Sequence, residues 1–180
     1  VRYISNHSTG KMGFALAERA AARGAKVTLI SGPTNLATPP GVKRIDIISG
    51  KEMFEKVMEH FEESDIIIKS AAVADYTPAE VSDHKLKKKD NELNIKLNRN
   101  TDILFELGKI KGDKVLIGFA METQDLIENA KSKLDKKNAD LIIANDLNVE
   151  GAGFGTETNV VTIINKNGTA EKLLIMSKLE

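Results

Sequence analysis

The chain has 180 residues, of which 41% are hydrophobic and 29% charged, and its 26 basic residues balance its 26 acidic ones. This length fits one domain with a full hydrophobic core, and the balanced charge argues against a protein that binds nucleic acid or membranes through bulk charge. Cysteine is absent, which excludes disulfides and cysteine-ligated metals, and the sequence has neither a membrane-length apolar run nor a visible signal peptide.

Helix and strand signals alternate through the first part of the chain. An alanine-rich stretch at residues 14–23 ends at Gly24 and predicts a helix. A short apolar run at residues 26–31 predicts a buried strand, and residues 42–48 predict another. Residues 51–61 then place their apolar side chains on one helical face, which predicts a second helix.

The same alternation continues. Strands are predicted at residues 65–69, 115–118 and 140–144, with helices at residues 102–109 and around residues 126–134. Apolar strands separated by amphipathic helices are typical of a parallel sheet covered on both faces. The sequence therefore predicts an α/β fold: a Rossmann-like three-layer domain with a mostly parallel sheet.

The end of the chain differs from this pattern. Residues 159–164 and 171–175 flank an Asn-Gly turn at residues 165–168 and predict a C-terminal β-hairpin. Residues 34–41 and 75–91 carry no regular signal. The second of these segments is long and polar, and loops of that length are usually functional or mobile.

Residues 5–13, with the sequence SNHSTGKMG, run directly into the first helix. Ligands of open parallel sheets bind beyond the carboxyl ends of the strands, and N–H groups at a helix start attract anions. Gly10 permits close approach and Lys11 adds positive charge. The alternative is an ordinary helix start in which Ser8 or Thr9 is the N-cap, and the sequence leaves both interpretations open.

Two further segments follow the strand at residues 65–69. The small residues of the segment 71–76 would let a ligand lie against the backbone, and Asp75 could accept a hydrogen bond from a nucleotide or bind Mg²⁺. The lysine-rich run at residues 85–89 suits a loop that closes over a triphosphate. The alternative for residues 71–76 is a tight turn with a solvated aspartate. The alternative for residues 85–89 is a solvated charged face.

Lys133 and Lys137 are four residues apart and share a helix face, either as a ligand site or as a solvent-facing pair. Phe119 follows a strand and is either core or a platform for a base. No His, Cys and Asp cluster has metal-ligand spacing, and no Ser-His-Asp arrangement is evident.

Several of these segments together resemble phosphopantothenoylcysteine synthetase, the phosphopantothenate–cysteine ligase of coenzyme A synthesis. The matching segments are RYISNHSTGKMG at 2–13, ISGP at 30–33, TPP at 38–40, AAVADY at 71–76, KLKK at 85–88, GFAMET at 118–123 and AND at 144–146. They occur in family order along nearly the whole chain. They resemble the bacterial, CTP-using branch, which is commonly fused behind an FMN-dependent decarboxylase domain that these 180 residues do not contain.

The resemblance implies a reaction in two steps. The substrate carboxylate attacks the α-phosphate of CTP, which releases pyrophosphate and gives an acyl-cytidylate, and Mg²⁺ accompanies the triphosphate. The amine of cysteine then displaces CMP. Asn6 matches the asparagine needed in the second step, and Lys85 matches the flexible-loop lysine of the first.

The resemblance also implies two sets of binding residues. The nucleotide set is Lys69, Ser70, Ala71, Asp75, Lys85, Thr101, Asp102, Ile103, Leu104, Phe119, Lys133 and Lys137. The set for the substrate and its phosphate is Ser8, Gly10, Lys11 and Ala72. Thr101 departs from the family, which often has proline there, although backbone contacts should survive the change.

The resemblance further implies a cytoplasmic homodimer, either alone or within a larger decarboxylase-fused oligomer, that takes small-molecule substrates and binds neither nucleic acid nor membranes. Residues 1–180 are expected to form a single domain, with the family's first strand and glycine-rich turn preceding Val1.

Two alternatives compete with this interpretation: an NAD(P)-binding module of the oxidoreductase type and a catalytically degenerate nucleotide-binding domain. The usual dinucleotide glycine fingerprint is not evident in the sequence, whereas the lysine-rich run, Asp75 and Asn6 argue against degeneracy.

Overall fold

The computed structural model describes residues 3–82, 84, 94–122, 126–146 and 156–180. The helices of these residues are α1 (Lys11–Ala22), α2 (Gly50–Glu59), α3 (Ile103–Ile110) and α4 (Leu126–Lys136). The strands are β1 (Val27–Ser31), β2 (Val42–Asp46), β3 (Ile66–Lys69), β4 (Tyr76–Pro78), β5 (Leu97–Arg99), β6 (Val115–Glu122), β7 (Leu141–Asp146), β8 (Thr158–Asn159), β9 (Val161–Asn165), β10 (Ala170–Lys172) and β11 (Met176–Ser177).

The main sheet has five strands in the order β10-β9-β7-β6-β3. Strands β3, β6 and β7 are parallel to one another, with Lys69 opposite Gly118 and Gly118 opposite Ile142, whereas β9 and β10 run antiparallel. Strands β1 and β2 form a separate parallel pair. The predicted α/β fold with a mostly parallel sheet is confirmed.

The core lies between this sheet and its helices. Leu107 of α3, Leu116 of β6, Ile142 of β7 and Ile164 of β9 are fully buried. Burying each such side chain stabilises the fold by about 1.5–3 kcal/mol. Gly118 allows α3 to approach the sheet, because a Cβ atom there would lie 2.6 Å from the Leu104 side chain.

The predicted C-terminal hairpin is present as β9 and β10, joined by a turn in which Gly168 has φ 77°. Its second strand is shorter than predicted and ends at Lys172, and the chain continues to β11, which pairs with β8.

The segment 75–91, predicted to lack regular structure, contains β4, which pairs antiparallel with β5. We name this pair, Tyr76–Pro78 with Leu97–Arg99, the β4–β5 ribbon. Its residues are mostly exposed and its two strands are far apart in sequence, so neither carries the apolar pattern of a core strand. No helix among the described residues is long and apolar enough to cross a membrane.

Candidate functional site

A pocket lies where β3 ends, between the loop that follows this strand and the start of α3. Its lining residues are Lys69, Val73, Ala74, Asp75, Arg99, Asn100, Thr101, Asp102 and Ile103. The position agrees with the rule that ligands bind at the carboxyl ends of parallel strands. The structure thus brings together five residues of the predicted nucleotide set, and Arg99 and Asn100 join them although the sequence analysis missed both.

Asp102 is the N-cap residue of α3. Its Oδ1 atom accepts the Phe105 N–H at 3.0 Å, and its Oδ2 atom accepts from the Lys137 ammonium at 2.5 Å. Burial alone would raise the pKa of Asp102, but the hydrogen bonds from Lys137 and Phe105, with the charges of Lys137 and Lys69, hold this pKa below its usual range. The carboxylate is therefore ionised at neutral pH.

Lys69 is the last residue of β3 and is partly buried. Burial lowers the pKa of its ammonium group; the charges of Asp102 and Asp75 oppose this shift, and those of Lys133 and Lys137 add to it. Two further ammonium groups and two carboxylates therefore lie close enough to Lys69 to act on its charge. An excess of positive charge in a partly desolvated site is suited to binding a polyanion.

The approach of α4 to α3 sets the position of Lys137. A Cβ atom at Gly108 would lie 1.9 Å from the Lys137 carbonyl oxygen, so the two helices meet where a side chain is missing. Asn138 follows with φ 47°, and its Nδ2 atom donates to the Gly108 carbonyl at 2.8 Å. Gly108 is not among the site residues predicted from the sequence, although a glycine inside a predicted helix costs about 1 kcal/mol and so indicates a close contact.

Asn6 lies against one wall of the pocket, because its Nδ2 atom donates to the carbonyl of Val73 at 3.4 Å. The first motif also meets the loop after β3 at Gly13, where a Cβ atom would lie 3.0 Å from the Ser70 hydroxyl oxygen. Two segments some 60 residues apart in sequence are therefore adjacent.

The interpretation of the start of α1 in which Ser8 or Thr9 is the N-cap is wrong. The N-cap residue is Gly10, with φ 79°, and no side chain caps the helix. Because φ near +80° favours glycine, the chain turns into α1 through backbone conformation rather than through a hydroxyl group. Ser8 is exposed.

Lys11 does not line the pocket beside Lys69. Its ammonium group forms an ion pair with Glu157, and this contact lowers the pKa of the Glu157 carboxyl. Lys178 lies near the same pair; burial lowers its pKa, and the charge of Lys11 adds to the effect. If Lys11 binds phosphate as predicted, it does so outside this pocket, where α1 meets the end of the chain.

The other predicted residues fall into three groups. Leu104 is buried against Gly118, so only its backbone is available to a ligand. Ser70, Ala71, Ala72 and the half-buried Phe119 belong to neighbouring segments and do not line the pocket. Lys85 and the rest of the lysine-rich run lie outside the described residues. Among the residues that are described, no group of three or more His, Asp or Glu could hold a metal ion.

Residues 1–180 match the family described as "DNA/pantothenate metabolism flavoprotein C-terminal domain". The chain is 52% identical over 181 residues to the coenzyme A biosynthesis bifunctional protein CoaBC of Bacillus subtilis (strain 168), covering all of this chain and 45% of that protein. It is 50% identical over 182 residues to a cysteine/cysteine sulfinic acid decarboxylase of an unknown prokaryotic organism, covering 51% of it.

The crystal structure of the C-terminal domain of a coenzyme A biosynthesis bifunctional protein CoaBC superposes with a TM-score of 0.83 at 41% identity, covering 99% of this chain and 80% of that one. The chain spans about half the length of the curated relatives it matches.

Proposed function

The chain belongs to the family of the DNA/pantothenate metabolism flavoprotein C-terminal domain, and from this we propose that it joins L-cysteine to (R)-4'-phosphopantothenate at the expense of CTP. The products are 4'-phosphopantothenoyl-L-cysteine, CMP and pyrophosphate, and the reaction is a step of coenzyme A biosynthesis. The similarity to the C-terminal domain of CoaBC supports the assignment to this half of a bifunctional protein.

One observation carries the proposal: Lys69 lines the pocket, Lys137 pairs with Asp102 in the same lining, and Asn6 contacts the Val73 wall. The charge of Lys133 also acts on Lys69. The triphosphate of CTP binds among the ammonium groups. The substrate carboxylate approaches from the side of Asn6 and attacks the α-phosphorus. Such a transfer requires positioning and charge neutralisation rather than a strong base.

In the second step the amine of cysteine attacks the acyl carbon of the acyl-cytidylate. The amide of Asn6 is a neutral donor, suited to stabilise the oxyanion that forms at this carbon. Losing one such donor typically costs about 3–4 kcal/mol of transition-state stabilisation. Lys85 neutralises charge on the departing pyrophosphate in the first step.

Mg²⁺ accompanies the triphosphate and supplies charge neutralisation when bound. Asp75 and Asp102 are the carboxylates that line the pocket. Since two carboxylates make a sparse ligand set, the phosphates of CTP hold the ion. FMN would belong to a decarboxylase domain, where one is fused to this chain, and not to the pocket described above.

The phosphate of phosphopantothenate binds at the start of α1, near Ser8, Gly10, Lys11 and Ala72. The protein acts in the cytoplasm as a homodimer, alone or within a larger oligomer fused to a decarboxylase.

A pyrophosphate-release assay tests the proposal, using the full-length protein that contains this chain. CTP and ATP are compared in parallel with 4'-phosphopantothenate, with and without cysteine. We expect CTP-dependent pyrophosphate release, and release of CMP only when cysteine is present. CTP binding without product would instead indicate a degenerate domain. Tight NADPH binding without CTP binding would indicate a redox module, and cysteine consumption without nucleotide would indicate a decarboxylase.

A further inference from the structure

Asn100 stands between the two segments that form the pocket. It follows β5 directly and precedes Thr101 and the N-cap Asp102. The neighbouring strand β4 begins at Tyr76, which pairs with Arg99. Asn100 is therefore at the base of the β4–β5 ribbon, where both of its strands join the domain.

Three hydrogen bonds connect Asn100 to both sides of the pocket. Its backbone N–H donates to the Asp75 carbonyl at 2.7 Å, and its Nδ2 atom donates to the Ala74 carbonyl at 3.1 Å. Its Oδ1 atom accepts the Thr101 N–H at 3.1 Å. The Ala74 carbonyl can only accept and the Thr101 N–H can only donate. These two contacts therefore determine which side of the Asn100 amide carries Nδ2 and which carries Oδ1.

A third element closes around the same amide. A Cβ atom at Gly50, the first residue of α2, would lie 2.7 Å from Asn100 Nδ2 and 3.0 Å from Val73 Cγ1. Separations below 3.0 Å require something to move. The amide of Asn100 is therefore enclosed by α2, by the loop after β3 and by the start of α3.

We propose that Asn100 is a positioning residue that fixes the backbone of Ala74 and Asp75 relative to the start of α3, and so sets the geometry of the nucleotide pocket. This inference deepens the proposed function and rests on it for the identity of the ligand. Asn100 acts through Asp75 and Asp102 and not on the reacting atoms. Alanine would break both side-chain bonds, so that of the three hydrogen bonds of Asn100 only the one from its backbone N–H to the Asp75 carbonyl would remain.

Steady-state kinetics of Asn100→Ala in the full-length protein measure this effect. We expect the KM for CTP to rise about tenfold, which corresponds to about 1.4 kcal/mol, while the KM for cysteine stays within about twofold. The matched control is Asn98→Ala, an exposed asparagine of β5 that does not line the pocket and that should behave as wild type. An unchanged KM for CTP in Asn100→Ala, or an equal rise in both KM values, overturns the inference.

A double-mutant cycle with Gly50→Ala separates positioning from general destabilisation. Alanine usually stabilises a helix relative to glycine, yet here its Cβ atom would displace the Asn100 amide and raise the KM for CTP. In the Asn100→Ala background the amide is gone, so Gly50→Ala should change this KM by less than about twofold. Fully additive effects would contradict the inference.

Amide hydrogen exchange without nucleotide makes the two proposals distinguishable. In Asn100→Ala the Thr101 amide loses its acceptor and should exchange about tenfold faster, whereas Asn98→Ala leaves it unchanged. If the wild-type protein released no pyrophosphate but Thr101 exchange rose, the proposed function would fail and the positioning role would stand. Unchanged Thr101 exchange overturns the positioning role, whatever the activity.

Discussion

The ammonium group of Lys137 donates to Asp102 Oδ2 at 2.5 Å, which joins the residue after α4 to the N-cap of α3. The same ammonium lies 5.3 Å from the centroid of the Phe105 ring. The ion pair holds the Lys137 ammonium group beside Asp102, which lines the pocket. Under the proposed function, a phosphate of CTP would compete with the Asp102 carboxylate for this cation.

Replacing Lys137 with glutamine should weaken CTP binding about tenfold or more, because a charge-assisted hydrogen bond contributes about 1.5–3 kcal/mol. Isothermal titration calorimetry measures the change. Lys136→Gln is the matched control, since Lys136 is exposed and it is Lys137 that pairs with Asp102. Equal losses in the two variants would mean that overall charge, and not the position of Lys137, determines affinity.

Lys69→Met should separate stability from function. The folded-state pKa of Lys69 is lowered by burial, so wild-type stability is reduced at neutral pH and recovers as the pH rises toward the unfolded-state value. The variant should therefore be more stable than wild type at pH 7, with a gain that shrinks at alkaline pH, yet bind CTP about tenfold more weakly. Urea unfolding at several pH values checks the first part. A variant less stable than wild type at pH 7 would show that the charge of Lys69 stabilises the fold.

Gly108→Ala should reverse the usual benefit of alanine in a helix. The new Cβ atom would lie 1.9 Å from the Lys137 carbonyl oxygen, so α4 must move away from α3. We expect the free energy of unfolding to fall by about 1–3 kcal/mol, together with weaker CTP binding. Gly32→Ala serves as control, because no atom lies within 4 Å of a Cβ atom there. A Gly108→Ala protein as stable as wild type would refute the packing argument.

Asp140 is the centre of a partly buried ion-pair network at the opposite end of the sheet, in which Lys111 is the buried partner. It accepts from the Leu116 N–H at 2.7 Å and from the ammonium groups of Lys111 and Lys166. Burial alone would raise the pKa of Asp140, but these hydrogen bonds lower it from 3.8 to about 2. Asp140→Asn leaves the Lys111 ammonium buried without its counter-ion, so the free energy of unfolding should fall by about 3–5 kcal/mol.

The pH dependence of that loss has a definite sign. A carboxyl whose folded-state pKa is lowered stabilises the fold above its unfolded-state pKa and loses this effect as the pH falls. Wild type should therefore lose the contribution of Asp140 between about pH 4 and pH 2, and Asp140→Asn should lack this part of the pH dependence. Chemical denaturation across this range measures it, with the exposed Asp135→Asn as control. Parallel profiles for wild type and Asp140→Asn would contradict the assignment.

Asn6→Asp and Lys85→Gln should stop the reaction at different steps. With Asn6→Asp the acyl-cytidylate should accumulate, because the second step loses its neutral donor and slows by about 100-fold or more. With Lys85→Gln the acyl-cytidylate should not form. Rapid quenching followed by mass spectrometry detects the intermediate, and the exposed Asn35→Asp is the control. Normal turnover of Asn6→Asp would remove the role proposed for Asn6.

The sequence by itself determined the order of elements and the segments that approach the site. Apolar runs such as residues 65–69, the amphipathic helix at residues 51–61 and the Asn-Gly turn before Gly168 are local signals, because periodicity and turn chemistry act over a few residues. The resemblance added the nucleotide set, of which Lys69, Asp75, Thr101, Asp102 and Ile103 line one pocket.

Only the tertiary structure decided which of these groups meet. The partner of Lys11 is Glu157, 146 residues away, and the β4–β5 ribbon pairs strands separated by a long segment. Gly108 and Gly50 are required because atoms of other elements occupy the space that a Cβ atom would take. Asn100 is important because it contacts both walls of the pocket. Such contacts depend on steric fit between faces distant in sequence, which no local pattern of residues encodes.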